Sequence, residues 1–132
     1  MGEQLTILVS ASPNRSQVHL SAIKFVEQSI KNNILINSVF FYQDAVLLAN
    51  KFRSPPSDES DLVEMWLSAS SKANIELQTC VAASYRRGVI DKHQAEETSL
   101  SCDNLHRGFA MVGLGQFAAS ISNINCKLVH FK

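Results

Sequence analysis

The chain has 132 residues, of which 45 % are hydrophobic and 18 % are charged, a composition that indicates one globular domain with an ordinary core. Twelve basic and twelve acidic side chains balance, which excludes a general electrostatic attraction to nucleic acid or to a membrane surface. Three cysteines cannot all pair within one chain, and no apolar stretch is long enough to cross a bilayer. We therefore expect a single cytoplasmic domain over residues 1–132 that contacts neither nucleic acid nor membrane directly.

The first part of the chain alternates short apolar runs with segments of helical periodicity. Residues 5–9 predict a buried strand, and a serine-rich loop at 11–16 separates it from a predicted helix at 17–32. Residues 34–41 are β-branched and aromatic, which predicts a second strand, and a short apolar stretch follows at 45–49.

The same alternation continues after an irregular, proline-containing segment at 51–60. Ser60 or Asp61 is placed to cap the next helix, and residues 75–79 predict a third strand that leads into a short helix at 81–88.

The last third of the chain predicts two more helices and two more strands. Asp91 is placed to cap a polar helix, residues 109–112 and 128–131 predict strands, and Phe117, Ala118 and Ile121 indicate a helix between them. Strands that alternate with amphipathic helices predict an α/β fold, an open parallel sheet with helices on both faces.

Cys80 is the candidate catalytic residue, because a predicted strand delivers it to the first turn of a predicted helix. The first amides of a helix lack intrahelical partners and carry the positive end of its dipole, which stabilises a thiolate relative to a thiol. In an open parallel sheet, reactive groups also gather at the carboxyl ends of strands. The alternative is a buried structural cysteine, since free cysteines are among the most buried residues.

The remaining cysteines and the histidines do not define a metal site. Cys102 is either a resolving thiol for Cys80 or an inert loop residue, and Cys126 is expected to pack in the core. There is no Cys-x-x-Cys pair, and the four histidines, which lack a partner at i+4, are expected at the surface or in caps. The Gly-Leu-Gly run at 113–115 lacks the third glycine of a dinucleotide fingerprint. We therefore expect no metal and no organic cofactor.

Several segments, in an order and spacing that match along almost the whole chain, resemble the DsrE-like sulfur-relay family. They are Phe-Phe-Tyr at 40–42, Ser-Pro-Pro-Ser-Asp-Glu at 54–59 with Trp66, Cys-Val-Ala-Ala at 80–83, Arg-Arg-Gly at 86–88, Asn-Leu at 104–105 and Gly-Leu-Gly at 113–115. The loop at 11–16 departs from the family, because it lacks the Gly-Pro-x-Tyr-Gly run that relatives carry there.

The resemblance implies a flavodoxin-like fold and a sulfurtransferase in which Cys80 carries sulfur as a persulfide. It also implies a heterohexamer with TusB-like and TusC-like subunits, a TusA-like sulfur donor, a TusE-like acceptor, and 2-thiouridine at the tRNA wobble position as the product. Another branch of the family serves dissimilatory sulfur oxidation, but the runs at 58–63 and 88–91 favour the tRNA branch. Persulfide exchange requires an exposed thiolate, which we expect of Cys80.

Two other classes of protein fit parts of the sequence. A flavin or nucleotide protein would use the serine-rich loop, but Pro13 removes an amide donor there and no glycine lets a phosphate approach the backbone. A scaffold subunit without chemistry would not need a thiol at a helix start. Phe40, Phe41, Trp66 and the apolar stretch at 45–49 exceed the needs of one small sheet, which predicts a surface for partner subunits.

Overall fold

A computed structural model describes residues 3–123 and 125–132, and in them the predicted alternation of strands and helices is confirmed. The differences lie at element ends, since the last strand begins at Cys126, and in the stretch 45–49, which belongs to a 3-10 helix. In chain order the elements are β1 Gln4–Val9, α1 Ser16–Lys31, β2 Leu35–Phe41, the 3-10 helix Gln43–Ala49, α2 Leu62–Ser71, β3 Glu76–Cys80, α3 Val81–Arg86, α4 Lys92–Glu97, β4 Phe109–Val112, α5 Leu114–Ser120 and β5 Cys126–Phe131.

The five strands form one sheet in the order β4-β3-β2-β1-β5, and all neighbouring pairs are parallel. Strands β1 to β4 follow one another across the sheet, whereas β5 returns to the other side of β1. Parallel neighbours require crossover connections, which the helices supply. The predicted open parallel sheet is therefore confirmed.

Two adjacent phenylalanines on β2 show how the sheet is covered on both faces. Successive side chains of a strand point to opposite faces. The Phe41 ring lies edge-on to Trp66 of α2, with ring centroids 5.2 Å apart. The Phe40 ring stacks on Phe117 of α5, with centroids 4.1 Å apart. Helix α2 thus covers one face and α5 the other, and we call these the α2 face and the α5 face.

Local sequence signals explain where the two long helices sit. The apolar residues of α1 recur at helical spacing, and Ala22, Ile23 and Val26 are buried on one side of the helix. Helix α2 begins after Asp61, whose carboxylate accepts a hydrogen bond from the Glu64 amide at 3.2 Å. This contact confirms Asp61 as the helix cap.

The residues expected to form a partner surface are buried within the chain itself. Phe40, Phe41 and Trp66 are fully buried, as are Ala45, Val46, Leu48 and Ala49 of the 3-10 helix. Helices cover both faces of the sheet, so all of these apolar side chains are buried between the sheet and a helix layer. The prediction that these side chains exceed the needs of one sheet is therefore wrong, and they give no support for a partner.

Candidate functional site

Cys80 is both the last residue of β3 and the residue that precedes the first turn of α3. Its backbone is extended, with φ −65° and ψ 127°, and β3 is paired there with Val112 of β4. The prediction that a strand delivers Cys80 to a helix start at the carboxyl end of the sheet is confirmed. Helix α3 has only six residues.

The Cys80 side chain lies in an apolar pocket on the α5 face. Only 2 % of Cys80 is exposed, and it belongs to a small buried cluster, separate from the main core. Half-buried Leu8, Tyr42, Val112 and Ile121 pack around that cluster, whose other members are Phe40, Val46, Ala83 and Phe117. The expectation of an exposed thiol is therefore wrong for this conformation, because the apolar side chains of this cluster enclose the sulfur.

Helix α3 is fixed at both ends by polar contacts. The Thr79 and Ser84 hydroxyls form a buried hydrogen bond of 2.9 Å beside Cys80. At the other end, the Arg87 guanidinium donates to the Asp44 carboxylate at 2.9 Å and to the Ala83 carbonyl at 3.1 Å. Arg87 thus connects α3 to the 3-10 helix.

The turn after α3 depends on glycine and on a buried amide. Gly88 has φ +78°, a left-handed conformation that L side chains rarely adopt. The Asn104 side chain accepts from the Ile90 amide at 2.7 Å and donates to the Gly88 carbonyl at 2.8 Å. These contacts lead the chain into α4, whose cap is Asp91 as predicted.

Tyr85 of α3 also contacts Asp91, to which its hydroxyl donates a hydrogen bond of 2.9 Å. Burial is the largest cause that raises the pKa of Tyr85 to about 12, and the hydrogen bond and negative charge of Asp91 add to it.

The other two cysteines lie outside the Cys80 cluster. Cys102 is exposed and Cys126 is half-buried, and all three thiols are free. Cys126 is the first residue of β5, and its sulfur lies 3.1 Å from the Thr6 hydroxyl. The expected core position of Cys126 is therefore wrong, because β5 is an edge strand.

His19 is fully buried, which corrects the expectation of a surface or capping role. The Trp66 indole donates to its Nδ1 at 3.1 Å, so the Nε2 proton is free to donate to the Ala11 carbonyl at 2.9 Å. Burial lowers the pKa of His19, and the positive charge of Arg53 adds to this effect. The neutral imidazole thus anchors the loop at 11–16, where the family's glycines are missing.

A pair of polar side chains at the carboxyl ends of β1 and β5 was missed by sequence reasoning. The Ser10 hydroxyl and His130 Nε2 lie 2.8 Å apart. The two residues are 120 positions apart, so only the pairing of β1 with β5 brings them together. The sequence did contain a signal for this pair. Ser10 follows one apolar strand and His130 lies near the end of another, and the carboxyl ends of parallel strands share one edge of the sheet.

The loop after β1 borders a cavity of about 540 Å³ that does not include Cys80. Pro13, Ser16, Arg53 and Glu59 are among its lining residues. Pro13 has no backbone N–H to donate to a phosphate, which argues against a nucleotide in this cavity. Within the described ranges, no group of three or more His, Cys, Asp or Glu side chains is arranged to hold a metal ion. The helices described for this chain include none that is long and apolar enough to cross a membrane.

Comparisons with known proteins agree with this architecture. The family model for the DsrE/DsrF-like family matches residues 3–131. The chain is 39 % identical over 115 residues to "Sulfurtransferase TusD" of Enterobacter sp. (strain 638), which covers 87 % of this chain and 90 % of that protein. It is 38 % identical over 112 residues to the protein of the same name from Yersinia pestis (strain Pestoides F), covering 85 % of this chain and 86 % of that one.

A solved structure shares the fold. The crystal structure of the ychN protein from E. coli superposes with a TM-score of 0.68 at 15 % sequence identity, covering 96 % of this chain and 99 % of that one. The family match, the named relatives and the fold confirm the resemblance that the Cys-Val-Ala-Ala and Arg-Arg-Gly segments indicated. The chain belongs to the DsrE/DsrF-like family.

Proposed function

We propose that this protein is a sulfurtransferase that carries sulfane sulfur as a persulfide on Cys80. The observation that carries the proposal is the position of Cys80, a thiol at the junction of β3 and α3 in a pocket of apolar side chains. Its relatives of 38–39 % identity are named sulfurtransferases, which supports the same chemical class for this chain.

The proposed reaction consists of two exchanges at sulfur. The Cys80 thiolate attacks the outer sulfur of a donor persulfide, so that the donor S–S bond breaks, the donor leaves as a thiolate, and a new S–S bond forms on Cys80. A thiolate of the acceptor then attacks the outer sulfur of the Cys80 persulfide and releases the Cys80 thiolate. Each step breaks and forms one S–S bond, so no external oxidant or reductant is consumed.

The surroundings of Cys80 suit a carrier of a labile group. Phe40, Val46 and Phe117 give the pocket apolar walls, and such walls exclude water and small polar reductants from a bound persulfide. Arg87 is engaged with Asp44 and with the Ala83 carbonyl, so its charge serves to hold α3 in place. Arg86 is exposed, so its positive charge is available to contact an acidic surface on a partner protein.

The likeness to proteins named TusD supports a proposal for the donor, the acceptor and the assembly. We infer a TusA-like donor, a TusE-like acceptor, and TusB-like and TusC-like subunits in a heterohexamer, with 2-thiouridine at the tRNA wobble position as the final product. The half-exposed Leu114 on α5 and Leu128 on β5 support a partner surface on the α5 face, since 48 % and 44 % of these residues are exposed.

The test is intact-mass spectrometry after incubation with a cysteine desulfurase, cysteine and a TusA-like donor. We expect the wild-type chain, assembled with its partner subunits, to gain the mass of one sulfur atom, and a reductant to remove that mass. Cys80→Ser should abolish the gain. Cys102→Ser is the matched control, because this exposed thiol lies outside the pocket, and it should keep the gain.

The same experiment separates the carrier from the alternatives. No gain in a folded, assembled complex would favour a scaffold subunit, and a gain that survives Cys80→Ser would move the carrier to another thiol. A loaded protein that passes its sulfur to no TusE-like acceptor would favour the sulfur-oxidation branch of the family. The TusD relatives make the tRNA branch the first choice.

A further inference from the structure

We infer that Phe117 closes the Cys80 pocket and that α5 must detach from the sheet before another thiol can reach Cys80. The inference rests on the proposed function, because it concerns access to the proposed carrier. It makes Phe117 the residue that decides which reagents reach the sulfur.

The contact that closes the pocket is a stack of two aromatic rings. Phe117 lies parallel to Phe40, with an interplanar angle of 12° and centroids 4.1 Å apart. Phe117 is 5 % exposed, and Phe40 and Cys80 are buried in the same cluster. A persulfide on Cys80 would therefore be shielded from solvent for as long as Phe117 remains in this position.

Helix α5 is attached to the sheet by a narrow apolar contact. Phe117 is its buried residue, the half-buried Ile121 follows at its end, and the other residues of the helix are exposed. The helix has seven residues and contains Gly115, which weakens a helix relative to alanine. Its start is held by the Gln116 side chain, which accepts from the Gly113 amide at 3.0 Å. Elements with few buried apolar contacts are those that open locally without global unfolding.

If α5 covers Cys80, the thiols of Cys80 and Cys102 should be alkylated at different rates. Alkylation of a buried thiol by a small reagent measures how often the thiol becomes accessible. In the native protein we expect iodoacetamide to modify Cys102 rapidly and Cys80 slowly, because Cys102 is exposed and Cys80 is not. Peptide mass spectrometry reports both rates in one sample, so that Cys102 serves as the internal reference.

Two substitutions in α5 should change the Cys80 rate in opposite directions. Phe117→Ala removes the stacked ring and should raise the rate by about tenfold or more. Gly115→Ala favours the helix and should lower the rate by about threefold to fivefold. An added Cβ at Gly115 meets nothing within 4 Å, so this second variant adds no clash.

The control is Val26→Ala, which creates a cavity in the main core on the α2 face. It lowers global stability but should leave the Cys80 rate unchanged under native conditions, because α5 is untouched. Equal rates for Cys80 and Cys102 in the wild type, or Cys80 rates unaffected by both α5 variants, would overturn the inference.

Failure of this inference is distinguishable from failure of the proposed function. If the α5 variants change alkylation as expected but no variant accepts sulfur, the cover exists and the carrier assignment is wrong. If sulfur loading depends on Cys80 but the α5 variants alkylate like the wild type, Cys80 is the carrier and Phe117 is not its cover.

Discussion

The surroundings of His19 differ from the surface or capping position that its place in the sequence indicated. It is buried between the Ala11 carbonyl and the Trp66 indole, and its ring also stacks near Phe41 with centroids 6.4 Å apart. The positive charge of Arg53 disfavours a second positive charge on the His19 ring. The Trp66 indole needs an unprotonated Nδ1, and burial disfavours the charged ring more than the hydrogen bond to Ala11 favours it, so protonation of His19 and folding oppose one another.

This opposition predicts a loss of stability in mild acid. Burial lowers the pKa of His19 below its ordinary 6.5 in the folded protein, so the unfolded chain binds the extra proton first as the pH falls. The contribution is constant above about pH 7.5, and the free energy of unfolding should decrease from about pH 6.5 downward until the lower folded pKa is reached. The measurement is urea denaturation at several values between about pH 5.5 and pH 7.5.

The matched variant for this prediction is His19→Gln, which cannot take up the proton. It should be less stable than the wild type at neutral pH, by about 1–3 kcal/mol, because the contacts with Trp66 and Ala11 are disturbed. Its stability should nevertheless change less with pH over the same range. An identical pH dependence in the two proteins would show that His19 is not the group responsible.

For individual helices and strands, short sequence patterns predicted the structure correctly wherever one short segment determines it. The sequence predicted Ser60 or Asp61 as the cap of α2 and Asp91 as the cap of α4, since a cap and the amide it accepts from lie only three residues apart, and the structure shows Asp61 and Asp91 in these roles. The same holds for Cys80, whose junction follows from one strand and one helix. The Phe40 and Phe117 stack was not predictable, since its partners belong to different strand–helix units and meet only when the sheet is assembled.

The turn that ends α3 depends on the left-handed backbone conformation of Gly88. Gly88 has φ +78° and open space around it, so Gly88→Ala should destabilise the protein through backbone strain alone, by about 1 kcal/mol. Gly115→Ala is the control, because its surroundings are equally open and its φ lies outside the left-handed region. It should cost no stability. Thermal or urea unfolding measures both, and equal effects would mean that the conformation of Gly88 is not the cause.

At the scale of the whole molecule, the sequence predicted the α/β alternation and the parallel sheet but not the division of its aromatic residues. Phe40 and Phe41 are adjacent, and the pattern alone did not show that each serves a different helix layer. The two layers differ in extent, because the cluster on the α5 face is smaller than the core on the α2 face. Leu114 and Leu128 stay exposed on the α5 face. They are therefore better evidence for a partner surface than the buried aromatic residues.

The proposed assembly with TusB-like and TusC-like subunits can be tested through Leu128. Its partner in the sheet register is Thr6, on the same face as Leu8 of the Cys80 pocket, and 44 % of Leu128 is exposed. Leu128→Lys should leave the stability of the isolated chain within about 0.5 kcal/mol of the wild type, because an exposed side chain is changed. It should weaken assembly, because a charge would be buried in the contact. Co-expression with the two smaller subunits and size-exclusion chromatography measure the complex formed.

The control for this variant is Leu35→Lys, which places the same charge on an exposed leucine at the amino end of β2, away from the Cys80 end of the sheet. If the α5 face receives the partners, Leu128→Lys should elute mainly as the free chain while Leu35→Lys elutes with its subunits. Equal assembly of the two variants would remove Leu128 from the interface, and loss with Leu35→Lys alone would move the interface to the amino end of the sheet. An interface on the α5 face would lie over the helix that we infer covers Cys80, so partner binding and access to the sulfur would be coupled through α5.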